Sequence, residues 1–173
     1  MSHSPRSVVI AGGGTGGHVF PMLAIGDALR RREPSLRVVY VGTARGLEAK
    51  VIPARGDTLE LLDIRPLRGG GARGFVEGVA FAAASLPAAR KLVASLAPLA
   101  ALSLGGYAGG PVALAARSLG VPITLMEPNS VLGLSNRLLA PLVARAYTAF
   151  AEAAAGLRPS TVRRRPASAS AKA

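Results

Sequence analysis

Apolar residues along this chain come in two alternating arrangements. Short continuous runs predict buried strands at Ser7–Ala11 (SVVIA), Leu36–Gly42 (LRVVYVG), Thr58–Ile64 (TLELLDI), Leu99–Leu104, Val121–Met126 and Ala144–Ala149. Between them lie stretches with helical spacing: Val19–Arg32, with Met22, Leu23, Ile25 and Leu29 facing inward, then Ala44–Ala54. A long helical segment ends near Leu96, with a kink expected at Pro87. Pro111–Leu119, with its proline in the first turn, and Leu132–Leu142 complete the series. Strand and helix alternating in this way predict an α/β fold, a Rossmann-like parallel sheet with helices on both faces.

The periodic pattern stops near Leu157, where LRPSTVRRRPASASAKA takes over. Residues 1–156 are therefore expected to form one domain, and 157–173 a low-complexity, disordered basic tail. Leu92–Ala116 carries no charge and is long enough to span a bilayer, but Pro98, Gly105, Gly106, Gly109, Gly110 and Pro111 interrupt it. It reads as buried strand, loop and helix, and no transmembrane segment is expected.

Charge changes the picture next. The 173 residues carry a formal net charge of +12, of which the tail accounts for five, leaving +7 on the body. A basic body points to an anionic partner. Aromatic residues make up 4% of the chain, too few for base-stacking platforms, so phosphate or a membrane surface is expected and no nucleic acid. With no cysteine and only His3 and His18, neither a disulfide framework nor a thiolate or histidine metal site is expected.

Three features then fall at the C-terminal ends of predicted strands, where an open parallel sheet binds its ligands. The first is AGGGTGGHVFP, Ala11–Pro21, in which Gly12, Gly14 and Gly17 satisfy G-x-G-x-x-G between strand one and helix one. Glycines there let backbone N–H groups approach a phosphate or sugar. A dinucleotide site would also place an acid at the end of strand two. That strand runs into Gly42-Thr43-Ala44-Arg45, with Glu33 before it and Glu48 well after, which weakens the nicotinamide reading, although Arg45 leaves room for a phosphorylated ribose. The second feature is Gly105-Gly106-Tyr107-Ala108-Gly109-Gly110-Pro111, and the third is Met126-Glu127-Pro128-Asn129-Ser130. Taken singly they read as turns and caps; together they point to a polar ligand site, with His18 as the one neutral-pH base on offer. A separate strip, Phe75, Val79, Phe81, Ala82 and Leu86, is flanked by Arg65, Arg68, Arg73, Arg90 and Lys91. It suits either an amphipathic core helix or shallow insertion at an anionic membrane.

The segments GGTGGHVFPMLAI, YVGTARGLEAKVIP, IRPLRGGG, LSLGGYAGGPVALAARSLGVP and MEPNSVLGLSNRLLA together resemble, in order and spacing from Val8 to Phe150, the amino-terminal domain of MurG-type N-acetylglucosaminyltransferases. The resemblance implies the N-terminal half of a GT-B glycosyltransferase, acting as an inverting hexosyltransferase in peptidoglycan biosynthesis. It would transfer N-acetylglucosamine from UDP-N-acetylglucosamine to undecaprenyl-diphosphate-linked muramoyl-pentapeptide, with no cofactor and no metal. It implies donor contacts at Thr15, Gly16, Gly17 and Asn129, and acceptor-diphosphate contacts at Gly13, Gly14, Gly105, Gly106 and Tyr107. His18 and Glu127 would do acid-base or positioning work. It also implies peripheral attachment to the cytoplasmic face of the bacterial membrane through Arg68, Arg73, Phe75, Val79, Phe81, Arg90 and Lys91. Pro128 stands where the family has glutamine and Gly70 where it often has lysine. The family's second domain, with most of the donor site, lies beyond the likeness. Three readings follow: an acceptor half that works with a separately encoded donor-domain chain, a truncated product without activity of its own, or a non-catalytic module binding lipid-linked sugar at the membrane.

Overall fold

A computed structural model describes residues 6–64, 71–158 and 161–164, with side chains described in these ranges except at 71–79, 81–82 and 162–164. The strands are β1 (Ser7–Ala11), β2 (Arg37–Gly42), β3 (Leu59–Leu61), β4 (Ala100–Ser103), β5 (Ile123–Glu127), β6 (Arg145–Thr148) and β7 (Val162–Arg164). The helices are α1 (Gly16–Arg32), α2 (Glu48–Ala54), α3 (Gly71–Leu96), α4 (Gly106–Ser118) and α5 (Leu134–Leu139), with a 3-10 helix at Glu152–Gly156. The seven strands form one sheet in the order β3-β2-β1-β4-β5-β6-β7, and every pairing is parallel. The order reverses between β1 and β4, which leaves a crevice at the strand ends there.

Alternation along the strands divides the core into two layers. Ile10, Val38, Tyr40 and Leu104 pack with Val19, Met22 and Leu23 of α1 and Ile52 of α2. Val9, Ala11, Val41 and Leu125 pack on the opposite face with Ala89 and Val93 of α3, the small residues of α4 and Leu139 of α5. Helices thus cover both faces, as the alternation predicts. Cover is incomplete beside α1, where Val8, Ile10, Ile25, Leu29, Leu102 and Met126 line an apolar groove of about 410 Å³. The charge-free stretch Leu92–Ala116 resolves into the end of α3, strand β4 and most of α4. Among the described residues no helix is long and apolar enough to cross a membrane.

Two expectations need correction. Helix α4 begins at Gly106, not Pro111, because Gly105, with φ of +87°, turns the chain out of β4 directly into the helix. Pro111 therefore lies inside the helix, and Gly106 and Tyr107 form its first turn rather than a free loop. The body also does not end at 156. Leu157 is buried, and β7 pairs beside β6 through Ala146–Val162, Tyr147–Arg163 and Thr148–Arg164. A sheet edge recruits a strand through backbone amides and carbonyls, so a segment without apolar periodicity can still join it.

Candidate functional site

The three loops predicted to converge do meet at the C-terminal edge of the sheet: the first two through close backbone packing, the second and third through buried polar contacts. The first, between β1 and α1, is shaped by an acid from elsewhere in the sequence. Glu48, at the start of α2, is 0% exposed. Its Oε2 accepts the Gly14 N–H at 2.7 Å, while Oε1 accepts the Thr43 N–H at 2.9 Å and the Thr43 hydroxyl at 3.1 Å. Gly13, Gly42 and Gly46 surround this carboxylate so closely that a Cβ on any of them would overlap it. Gly13 also has φ of +124°, a conformation side chains other than glycine's rarely adopt.

This corrects one expectation about the ligand contacts. The Gly14 amide, expected to face an acceptor diphosphate, is already engaged by a carboxylate, and a phosphate cannot take the same N–H while that bond stands. It also explains why no acid stands directly after strand two: Glu48 lies six residues past β2, and it is turned inward to hold backbone rather than outward to a ribose.

The second loop packs directly on the first. A Cβ on Gly106 would stand 2.6 Å from the Gly13 carbonyl oxygen, so only glycine permits this backbone approach. The Gly105 N–H donates to Ser103 Oγ at 3.1 Å, and Ser103 Oγ lies 3.4 Å from Asn136 Oδ1. Asn136 then reaches the third loop, donating through Nδ2 to the Met126 carbonyl at 3.1 Å and to Glu127 Oε2 at 3.0 Å. Glu127, 1% exposed, also accepts the Gly133 N–H at 2.9 Å on Oε2, and both the Asn129 N–H at 3.0 Å and Asn129 Nδ2 at 2.9 Å on Oε1. Four donors fill the two carboxylate oxygens. That arrangement suits a carboxylate that shapes its loop, and leaves no oxygen lone-pair direction facing solvent for proton exchange with a substrate.

Thr15, Gly16, Gly17 and His18 follow Gly14 at the start of α1. Thr15 is in extended conformation, its carbonyl accepts the His18 and Val19 N–H groups, and α1 starts after it. The amides of Gly16 and Gly17 belong to the first helical turn, where an α-helix has no internal partner for them. His18 is half-buried, with Nδ1 3.4 Å from Thr15 Oγ1. Asn129 and Tyr107 are exposed.

Of the residues expected at a membrane, Arg68 lies outside the described residues; Arg73, Phe75, Val79 and Phe81 lie on α3, but their side chains are outside the described set. Leu86 is partly buried and packs on the core, so the strip is not apolar surface throughout. Lys91 is exposed; Arg90 is exposed too, and its guanidinium donates to the carbonyl and hydroxyl of Ser118 at the end of α4. Sequence reasoning missed Glu48, Ser103 and Asn136 as site residues. The available signal was a polar residue at the last position of a strand or in the first turn of a helix.

The chain matches the model of the glycosyltransferase family 28 N-terminal domain over residues 8–148. A relative from Sorangium cellulosum, named as a UDP-N-acetylglucosamine--N-acetylmuramyl-(pentapeptide) pyrophosphoryl-undecaprenol N-acetylglucosamine transferase, is 69% identical over 91% of this chain and 39% of its own length. A relative of the same name from Acidithiobacillus ferrooxidans is 46% identical over 83% of this chain and 39% of its own. The chain thus spans about two fifths of the length of the curated relatives it matches. MurG of Acinetobacter baumannii superposes with a TM-score of 0.77 at 29% identity, covering 92% of this chain and 45% of that one. A UDP-N-acetylglucosamine 2-epimerase at 14% identity and a TM-score of 0.69 shares the fold. With sequence match, structural match and the loop edge in agreement, the chain belongs to glycosyltransferase family 28, through that family's N-terminal domain.

Proposed function

We propose that this chain forms the acceptor-side wall of an N-acetylglucosamine transferase that uses UDP-N-acetylglucosamine as donor and a lipid-linked muramoyl-pentapeptide as acceptor. The observation that carries the reading is the 69% identity to a protein of that name over 91% of this chain. An inverting sugar transfer needs a base at the attacking hydroxyl and stabilisation of the departing diphosphate. His18 is the base in this reading, deprotonating the acceptor hydroxyl, with Thr15 holding its ring. Gly16, Gly17 and Asn129 contact the donor sugar nucleotide. The acceptor diphosphate runs along Gly13, Gly105, Gly106 and Tyr107. Glu127 acts as a positioning group for Asn129. A donor-binding domain supplies the opposite wall, and the basic surface around Lys91 lies toward the cytoplasmic face of an anionic membrane.

The test is a chimera in which residues 1–156 are fused to the donor-side part of the Sorangium cellulosum relative. The chimera is expected to transfer N-acetylglucosamine to a lipid-linked acceptor, and the 173-residue chain by itself to give negligible transfer. A folded chimera without activity overturns the reading. In an active chimera, His18→Ala is expected to lower kcat by roughly 10²- to 10⁴-fold; a loss of only a few-fold removes His18 as the base.

A further inference from the structure

We propose that Glu48 is a positioning residue, an anion built into the protein that occupies the place a glycine loop ordinarily offers to a bound anion, and so fixes the loop and bars a phosphate from the Gly14 amide. The inference rests on the reading of this edge as the substrate crevice, and it deepens that reading by dividing the loop into two parts. Three observations carry it. The carboxylate is fully buried, and its hydrogen-bond partners among the described residues are the Gly14 N–H and the N–H and hydroxyl of Thr43, none of them a cation. Among the described residues, oriented N–H and O–H dipoles hold it, as they would a bound oxyanion. Glycine at positions 13, 42 and 46 clears the space it fills, so the chamber is built for this side chain. The Leu47 N–H also donates to the Gly14 carbonyl at 3.4 Å, so both polar groups of the Gly14 backbone are tied to the start of α2.

The loop then works in two segments. The Gly14 backbone is closed, its N–H held by Glu48 and its carbonyl by the Leu47 N–H. Thr15–His18, one step further on, is left to meet a ligand through first-turn amides and the imidazole. Glu48 acts on a substrate only through the loop it holds, so its loss should appear as loosened geometry at Gly14 and Thr43 and not at the third loop.

Amide hydrogen exchange followed by nitrogen-15 NMR on the 173-residue chain tests this without any transfer assay, so the outcome is separate from that of the proposed activity. Glu48→Gln replaces one acceptor oxygen by an NH₂ group that faces donors. It is expected to speed exchange at the Gly14 and Thr43 amides by roughly ten- to a hundredfold, while the Gly133 and Asn129 amides, bonded to Glu127, keep their rates. In the unsubstituted chain, millimolar inorganic pyrophosphate is expected to leave the Gly14 resonance in place. Equal acceleration at Gly133 and Gly14, unchanged rates in Glu48→Gln, or a Gly14 resonance that moves with pyrophosphate would each overturn the proposal. Should Glu48→Gln not fold, Thr43→Val removes one donor and keeps the carboxylate; faster exchange confined to Gly14 and position 43 supports the proposal, and no local change refutes it.

Discussion

The two ends of the sheet handle negative charge in opposite ways. At the C-terminal edge, Glu48 and Glu127 are buried, and seven N–H or O–H donors hold them without any cation among those partners. On the outer side of α1, Asp27 and Asp57 pair with arginine: Arg30 Nη1 lies 2.7 Å from Asp57, and Arg55 Nη2 lies 2.8 Å from both Asp27 oxygens. The Asp27 carboxylate, its hydrogen bond above all, raises the affinity of the exposed Arg55 guanidinium for its proton. Arginine-aspartate pairs at a surface join side chains, tolerate substitution and are screened by salt. Carboxylates held by amides fix backbone. The edge that must present atoms to a ligand uses the arrangement that sets main-chain geometry, and the ion pairs fasten a helix to a turn.

The largest test of this contrast is at Gly13. Gly13→Ala demands an unfavourable φ and drives a Cβ into the Glu48 carboxylate, so the loss of stability is expected to be about 3 kcal/mol or more by urea denaturation. Repeating it in a Glu48→Ala background removes the overlap and leaves the conformational cost. Strict additivity of the two substitutions would show that residue 13 and the carboxylate are not coupled.

Next comes Glu127→Gln, which loses charge on an acceptor of four hydrogen bonds and turns an NH₂ toward donors. A loss of about 2 kcal/mol is expected, with faster exchange at Gly133 and not at Gly14. Loosening at both would mean that the two carboxylates form one unit through Gly13 and Gly106 rather than two.

The smallest effect lies beneath the ion pairs. The Tyr40 hydroxyl is buried without a hydrogen-bond partner, packed against Gly26 with Arg30 over the ring. Burial is the main cause that raises its pKa above the usual tyrosine value near 10; Arg30 lowers it, and Asp57 and Asp27 raise it. The unfolded chain therefore ionises first as pH climbs, so the stability linked to the neutral phenol is complete below pH 10 and is lost as pH rises through the folded value. Tyr40→Phe is expected to change stability at neutral pH by no more than about 1 kcal/mol, in the stabilising direction, and to flatten the alkaline fall in thermal midpoint. An undiminished alkaline fall would assign it to other groups.

Periodicity reads well where a residue's neighbours in space are its neighbours in sequence. Strand β1 matches its apolar run from Ser7 to Ala11, and Glu127, Asn129 and Gly133 sit close together in the chain, so the third loop was visible as a motif. What escaped detection spans distance. Gly14 and Glu48 lie 34 residues apart, and Ser103 and Asn136 lie 33 apart; no local spacing connects either pair. The start of α4 was misplaced because glycines count against helix by propensity, yet at Gly106 the approach of the Gly13 backbone requires one. Strand β7 went unseen because its partner, β6, supplies the reason for it.

The glycine chamber around Glu48 also constrains how this sequence can change over generations. A side chain at 13, 42 or 46 needs the carboxylate displaced, and displacing the carboxylate strands the donors of Gly14 and Thr43. Each single step from this arrangement is expected to be unfavourable, which ties the four positions to one another. A homologue that departs at one of them should depart at position 48 as well.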